Sequence, residues 1–144
     1  MTKPYHIEMM SGPDTLPALE SWFRDAADHE GLSEPVRSQI ELILEELVTN
    51  VVNHASRLTG NPIPIQIEMN VLETRVELKI ADGGAPFNPQ EIGEPDLEAP
   101  LEERRIGGLG LFLVHQISDS LQYEYRDGWN VIYIHKNLGQ EARS

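Results

Sequence analysis

The stretch Ser33 to Ser56, SEPVRSQIELILEELVTNVVNHAS, constrains the fold of this chain more than any other. Val36, Ile40, Ile43, Leu44, Leu47, Val51 and Ala55 recur at helical spacing, which predicts one long helix with a single apolar face. At about 100° per residue they fill an arc of roughly 140°. Ser33 suits the N-cap, and Glu34 and Pro35 suit the first turn. Glu46, Asn50 and Asn53 form a second stripe within roughly 60°, bordering the apolar arc, and are expected to be half-buried. Glu41, Glu45 and Thr49 are expected to face solvent. A polar stripe at that border can simply solvate a helix edge, so its meaning depends on the rest of the chain.

A helix this long needs a partner layer, and the flanking sequence supplies strands. Tyr5, Ile7 and Met9 alternate with His6 and Glu8, which predicts a first strand with one buried face. After the break at Ser11-Gly12-Pro13-Asp14 a helix is expected from about Thr15 to His29, with Leu16, Leu19, Trp22, Phe23 and Ala26 inward and Gly31 as its stop. Beyond the Gly60-Asn61-Pro62 turn, Ile63, Ile65, Ile67, Met69 and Val71, then Val76, Leu78 and Ile80, predict a hairpin turning at Glu73-Thr74. Gln66, Glu68, Glu77 and Lys79 make its other face wet. From Asp82 to Gly110 the chain is rich in Gly, Pro and acidic residues, a length that in a small domain marks function or disorder. A short helix at Asp96 to Glu103 fits inside it. Helical spacing resumes from Gly110 to Ser118, and Gln122–Tyr125 and Asn130–Lys136 read as two last strands around an Asp127-Gly128 turn. The order β-α-α-β-β-loop-α-β-β lacks βαβ alternation. It predicts an α+β two-layer sandwich, a mixed and mostly antiparallel sheet with helices on one face.

With 144 residues and 40% hydrophobic content, the chain is expected to be a single domain, 1–144, with a polar tail at 138–144. No run is long and apolar enough to span a bilayer, and the first ten residues lack the apolar core of an export signal. The absence of cysteine removes disulfides, zinc thiolates and cysteine nucleophiles, and fits a cytoplasmic protein. A net charge of −13 disfavours nucleic acid, whose phosphates need a basic surface. A nucleoside triphosphate would have to be held locally, by Mg²⁺, backbone N–H groups and a few placed cations.

Three places carry such chemistry. Asp82, ending a strand before Gly83-Gly84-Ala85-Pro86-Phe87, offers a carboxylate to an exocyclic amine. Adenine presents that amine, whereas guanine presents a carbonyl oxygen there, and Gly84 lets a base approach the backbone. An ordinary Asp-Gly turn has the same dipeptide. Gly107-Gly108-Leu109-Gly110 precedes the helix starting at Leu111 and can expose N–H groups to phosphate, with Arg104 and Arg105 just upstream. It is neither G-x-G-x-x-G nor a P-loop. On the long helix, Asn50 offers an oxygen to Mg²⁺ and Glu46, one turn earlier, a base to the attacking hydroxyl.

The segments E-L-V-T-N-V-V-N-H-A (Glu46 to Ala55), D-G-G-A-P-F-N-P (Asp82 to Pro89) and G-G-L-G-L-F-L-V (Gly107 to Val114) resemble, in order and spacing, the three boxes of the GHKL ATPase superfamily. Within it the chain is similar to the anti-sigma factor serine kinases of bacterial partner switches. The resemblance implies a Bergerat ATP-binding fold and a lid at Gln90 to Ile106. It implies Glu46 as catalytic base, Asn50 as Mg²⁺ ligand, and Asp82 and Gly84 as adenine contacts, with Gly108 and Gly110 at the phosphates. Asn53, Phe87, Arg105, Gly107, Leu109 and Leu111 complete the nucleotide-binding set. It further implies a protein substrate, a serine or threonine on a STAS-type anti-anti-sigma partner, together with sequestration of a sigma factor, often by a homodimer. The family often places a hydroxyl near the adenine on its last strands; here Asn130 and Tyr133 stand nearby. His54 reads as packing or as a complement to the helix dipole, and Arg24 on the first helix as a contact for an acidic partner.

The function expected is an ATP-dependent serine/threonine protein kinase. Two alternatives are a non-catalytic module that binds ATP and sequesters a regulatory protein, and a detached histidine-phosphorylating domain. The chain has no helical hairpin with an acceptor histidine, and the Glu46/Asn50 pair favours phosphoryl transfer.

Overall fold

The computed structural model describes residues 4–58, 60–88 and 106–139, with 55–58 and 106–109 as helix backbone. Strand β1 (Tyr5–Met10) leads into helices α1 (Thr15–Glu30) and α2 (Glu34–Leu58), the hairpin β2 (Pro64–Val71) and β3 (Arg75–Asp82), helix α3 (Ile106–Ile117) and the hairpin β4 (Ser120–Arg126) and β5 (Trp129–Asn137). The short helix expected at 96–103 and the lid at 90–106 lie outside the described residues, apart from Ile106, which already belongs to α3.

The sheet runs β1-β2-β3-β5-β4. All four pairings are antiparallel, so the parallel pair that a mixed sheet would contain does not occur among the described strands. The reason lies in the connections. The two hairpins close through short turns, and the long excursions return each strand beside an oppositely directed neighbour. Leu72 donates its N–H to the Arg75 carbonyl at 2.8 Å in the first hairpin turn. The second turn has positive φ at both Asp127 and Gly128, 55° and 85°, the geometry that follows the right-handed twist of the flanking strands.

Alternation decides which face is buried. Ile65, Ile67 and Met69 on β2, Val76, Leu78 and Ile80 on β3, and Ile132 and Ile134 on β5 lie in one core with Leu19, Phe23, Ile40, Ile43, Leu44, Leu47, Leu111 and Val114 of the helices. The opposite face is wet and carries ion pairs such as His135–Glu77 at 3.2 Å and Arg75–Glu77 at 3.1 Å. Helix α2 packs against α1 on one side and α3 on the other.

The join between α1 and α2 is a compact stop. Gly31 has φ 65°, its N–H bonds the Asp28 carbonyl, and the Leu32 N–H bonds the Ala27 carbonyl, which is a Schellman closure. Arg37 ties the same corner from α2: it donates to the carbonyls of Leu32 and Ala27 and pairs with Asp28. The Ser33 carbonyl receives the Arg37 N–H at 2.9 Å, so α2 starts where the sequence placed it.

Candidate functional site

The site lies where β3 ends and β5 begins, beside α2 and α3. The period-two pattern that buries Val76, Leu78 and Ile80 continues to Asp82, which therefore points to the helix layer and is only 8% exposed. Asn130 pairs with it across the strands and is 2% exposed. Asp82 Oδ1 accepts from the Gly84 N–H at 2.9 Å and from Asn130 Nδ2 at 3.0 Å. Burial pushes the Asp82 carboxyl above the usual carboxylate range, because the charged form loses solvation. The Gly84 and Asn130 hydrogen bonds and nearby His54 pull it back without cancelling that effect.

The loop after Asp82 is held in shape. Asn130 Nδ2 donates to the carbonyls of Ala85 at 2.9 Å and Gly84 at 3.3 Å, while Asn130 Oδ1 accepts from the Phe87 N–H at 3.0 Å and from the Tyr123 hydroxyl at 2.5 Å. Phe87 packs on His54, ring centroids 4.8 Å apart and inclined 51°, so His54 packs against the loop as expected. At Gly84 a Cβ would meet Asp82 Oδ1 at 3.0 Å and Ile63 Cδ1 at 3.2 Å, so this glycine keeps the carboxylate close to the backbone. Tyr133 stands on the wet face and donates to Glu124 at 3.0 Å, away from this cluster. Tyr123 is a site residue that no motif marks, and its only signal is that Leu121 and Tyr123 alternate with Gln122 and Glu124, which places a hydroxyl on the buried face.

The second half of the site faces α3. The Gly107–Gly110 stretch does not precede the helix; it forms its first turns, because α3 starts at Ile106. Gly107, Gly108 and Leu109 are described only as helix backbone, Leu111 is buried in the core, and Arg105 lies outside the described residues. Gly110 is buried, and a Cβ there would lie 1.9 Å from Glu46 Oε2. The Glu46 carboxylate thus occupies the space that the missing side chain leaves. One turn on, Asn50 Nδ2 is buried with no hydrogen-bond partner among the described residues. Buried polar atoms are nearly always satisfied, so this amide points to a ligand. Turning it by 180° presents its oxygen instead, the donor a hard cation takes.

Two expectations on α2 need correction. Asn53 is exposed, because the helical wheel fixes direction but not cover: Gly110 closes over Glu46, whereas two turns later no described element covers the stripe. Glu41, Glu45 and Thr49 are partly buried rather than facing open solvent. Burial, helped by a hydrogen bond and repulsion from Glu41 and repulsion from Glu20 of α1, pushes Glu45 up to about 7.

Residues 9–136 match the model of the histidine kinase-like ATPase domain. The chain belongs to that ATPase family. It is 31% identical over 121 residues to a serine/threonine-protein kinase of Bordetella bronchiseptica, covering 84% of each chain. It is 32% identical over 126 residues to a serine-protein kinase of Listeria monocytogenes, covering 82% of this chain and 80% of the relative. The resemblance to the anti-sigma factor serine kinases is therefore borne out, and the chain is an ATP-using protein kinase of the serine/threonine class. The RsbU and RsbW domains of a Mycobacterium tuberculosis protein superpose with TM-score 0.67 at 16% identity, over 99% of this kinase and 34% of that chain, a likeness of fold. No helix among the described residues of the kinase is long and apolar enough to cross a membrane.

Proposed function

We propose that this kinase transfers the γ-phosphate of Mg²⁺-bound ATP to a serine or threonine of a STAS-type partner protein in the cytoplasm. Its anti-sigma role would then be the capture of a sigma factor when that partner is phosphorylated. The observation that carries the reading is the Glu46–Gly110 approach beside Asn50. A carboxylate seated where a side chain is missing, one turn from a buried amide without a partner, suits a phosphoryl-transfer centre.

In this reading Asp82 receives the adenine amine and Gly84 gives the base room. Asn53, Phe87, Arg105 and Gly107 to Leu109 line the remaining nucleotide, while Gly110 makes room for Glu46 and Leu111 anchors this turn in the core. The α3 N-terminus turns its first N–H groups toward the phosphates. Asn50 would hold Mg²⁺ through its amide oxygen, and one such ligand suffices because Mg²⁺ keeps waters and phosphate oxygens as its others. Bound there, the metal would neutralise charge on the β- and γ-phosphate oxygens. Glu46 orients the acceptor hydroxyl and takes its proton as that oxygen bonds the γ-phosphorus and the bond from the γ-phosphorus to the β–γ bridging oxygen breaks, releasing ADP.

The test is radiolabel transfer from ATP to the purified STAS-domain partner, with affinity measured alongside. Glu46→Ala is expected to leave ATP affinity nearly intact and to lower the transfer rate by roughly 10²–10⁴-fold. Asn50→Ala is expected to impair Mg²⁺-dependent binding and transfer together. Normal ATP binding without transfer to any STAS-type protein would refute the choice of substrate.

A further inference from the structure

Asn130 differs from the hydroxyl that the sequence resemblance led us to expect near the base, and its bonding shows what a carboxamide can do there that a hydroxyl cannot. Its Nδ2 reaches three acceptors, Asp82 Oδ1, the Gly84 carbonyl and the Ala85 carbonyl, and its Oδ1 takes two donors, the Phe87 N–H and the Tyr123 hydroxyl. The orientation of this amide is fixed by its partners. A backbone N–H only donates and a carbonyl only accepts, so turning the amide over would set oxygen against oxygen. A serine or threonine has one hydrogen to give and could not satisfy Asp82 and Ala85 together. The Tyr123 hydroxyl also lies 3.3 Å from the Phe87 N–H, so tyrosine, amide and loop close a small network.

The network acts on one oxygen of Asp82. The bonds from Gly84 and Asn130 both land on Oδ1, which fixes the carboxylate plane and leaves Oδ2 as the oxygen to meet a ligand. We propose that Asn130, locked by Tyr123, is a positioning residue that sets base selectivity by aiming Asp82 Oδ2 at the exocyclic amine of adenine. The inference rests on the nucleotide reading of Asp82 above and adds the pair of residues that gives that carboxylate its direction. A carboxylate free to rotate would still attract an amine but would discriminate less sharply against a base that offers a carbonyl.

The experiment is calorimetry on the full chain with three Mg²⁺-bound probes: ADP, GDP and purine riboside 5′-diphosphate, which has no exocyclic amine. Asn130→Ala is expected to weaken ADP by roughly 10–100-fold, the loss of a hydrogen bond that a buried charge depends on. It should weaken the amine-free analogue by no more than about 3-fold, because that ligand makes no contact with Oδ2. Tyr123→Phe keeps the ring and removes the hydroxyl, and is expected to shift the ADP/GDP ratio in the same direction by a smaller factor. Asn130→Thr should recover part of the ADP affinity. Equal losses for ADP and the analogue in a folded Asn130→Ala protein would make Asn130 a structural prop and overturn the proposal. If Asn130→Ala does not fold, an unchanged ADP/GDP ratio in Tyr123→Phe overturns it instead. A wild-type protein that binds GDP as tightly as ADP would remove the adenine reading itself. Wild-type selectivity that survives both variants would remove only the role given to Asn130.

Discussion

A single methyl group added at Gly110 probes the tightest approach in the site. The Cβ of Gly110→Ala would lie 1.9 Å from Glu46 Oε2 and 2.7 Å from its Cδ, where real contacts essentially never fall below 3.0 Å. The carboxylate must retreat by roughly 1 Å or more. Glu46 ends in a flexible side chain, so the folding cost is small, about 0.5–1.5 kcal/mol for a displaced rotamer. Alanine in place of glycine inside a helix returns about 0.8–1.0 kcal/mol. The two nearly cancel, and the melting temperature should stay within a few degrees. Catalysis has no such compensation: a misplacement of about 1 Å at the reacting group costs roughly 10²-fold, or about 2.7 kcal/mol of barrier. In a Glu46→Ala background there is no carboxylate to displace. There Gly110→Ala should leave the residual rate unchanged and raise the melting temperature by roughly 2–4 °C. The assay is a double-mutant cycle of four proteins, read by phosphate transfer to the proposed STAS-type acceptor and by thermal melts. If Gly110→Ala slows transfer by the same factor with and without Glu46, the glycine acts on phosphate or on α3 itself, and the reasoning fails.

Three further outcomes are expected. Asp82→Asn should weaken ADP and ATP by roughly 10–100-fold, since a charge-assisted acceptor is lost; wild-type affinity should fall as pH drops through the raised Asp82 pKa, the variant should lack that dependence, and calorimetry across pH checks both. Glu45 holds its proton to about 7 in the folded chain against 4.5 ordinarily, so the folded state loses stability as pH rises between those values. Solvent screens this partly exposed cluster, so Glu45→Gln should gain only about 1 kcal/mol, or roughly 2–4 °C, at pH 8 and nothing below pH 4.5; an unchanged melting temperature at pH 8 would count against the cluster. Arg24 is exposed at the mouth of a cleft of about 450 Å³ between α1 and α2, and Arg24→Glu should slow association with an acidic partner in stopped-flow mixing, equal rates sinking the assignment.

The strands and helices are legible because their periods are long: Ile63 to Val71 and Val76 to Ile80 alternate, and Val36 to Val51 repeats at helical spacing. Gly31 and Asp127-Gly128 marked their turns through chemistry that only a few residues supply. What failed depended on neighbours. Asn53 and Glu45 have wheel positions that sequence gives correctly, but cover comes from Gly110 on one side and α1 on the other, and a wheel carries neither. The onset of α3 was placed too late because glycines read as loop, whereas Gly110 is there to admit Glu46. Asp82 was visible as a motif. Asn130 and Tyr123 carry no local pattern that shows their role, because the five hydrogen bonds of Asn130 join residues of separate elements.

The two hairpins of the sheet meet along β3 and β5, and that seam has a consequence for how the protein comes apart. Before it lie β1, α1, α2, β2 and β3; after it lie α3, β4 and β5. Each hairpin closes locally, but the Asp82–Asn130 bond joins residues 48 apart, and the Glu46–Gly110 approach also crosses from the first group to the second. Nucleotide held at this seam, as proposed above, would tie the two halves of the sheet to each other across the β3–β5 ladder, and ligand present at 100 times its Kd would add about 2.7 kcal/mol to the stability of the fold. An opening that parts β3 from β5, leaving each hairpin intact, would abolish nucleotide binding before most secondary structure is lost. Activity should consequently disappear at lower denaturant than the helical signal, and added nucleotide should close that gap.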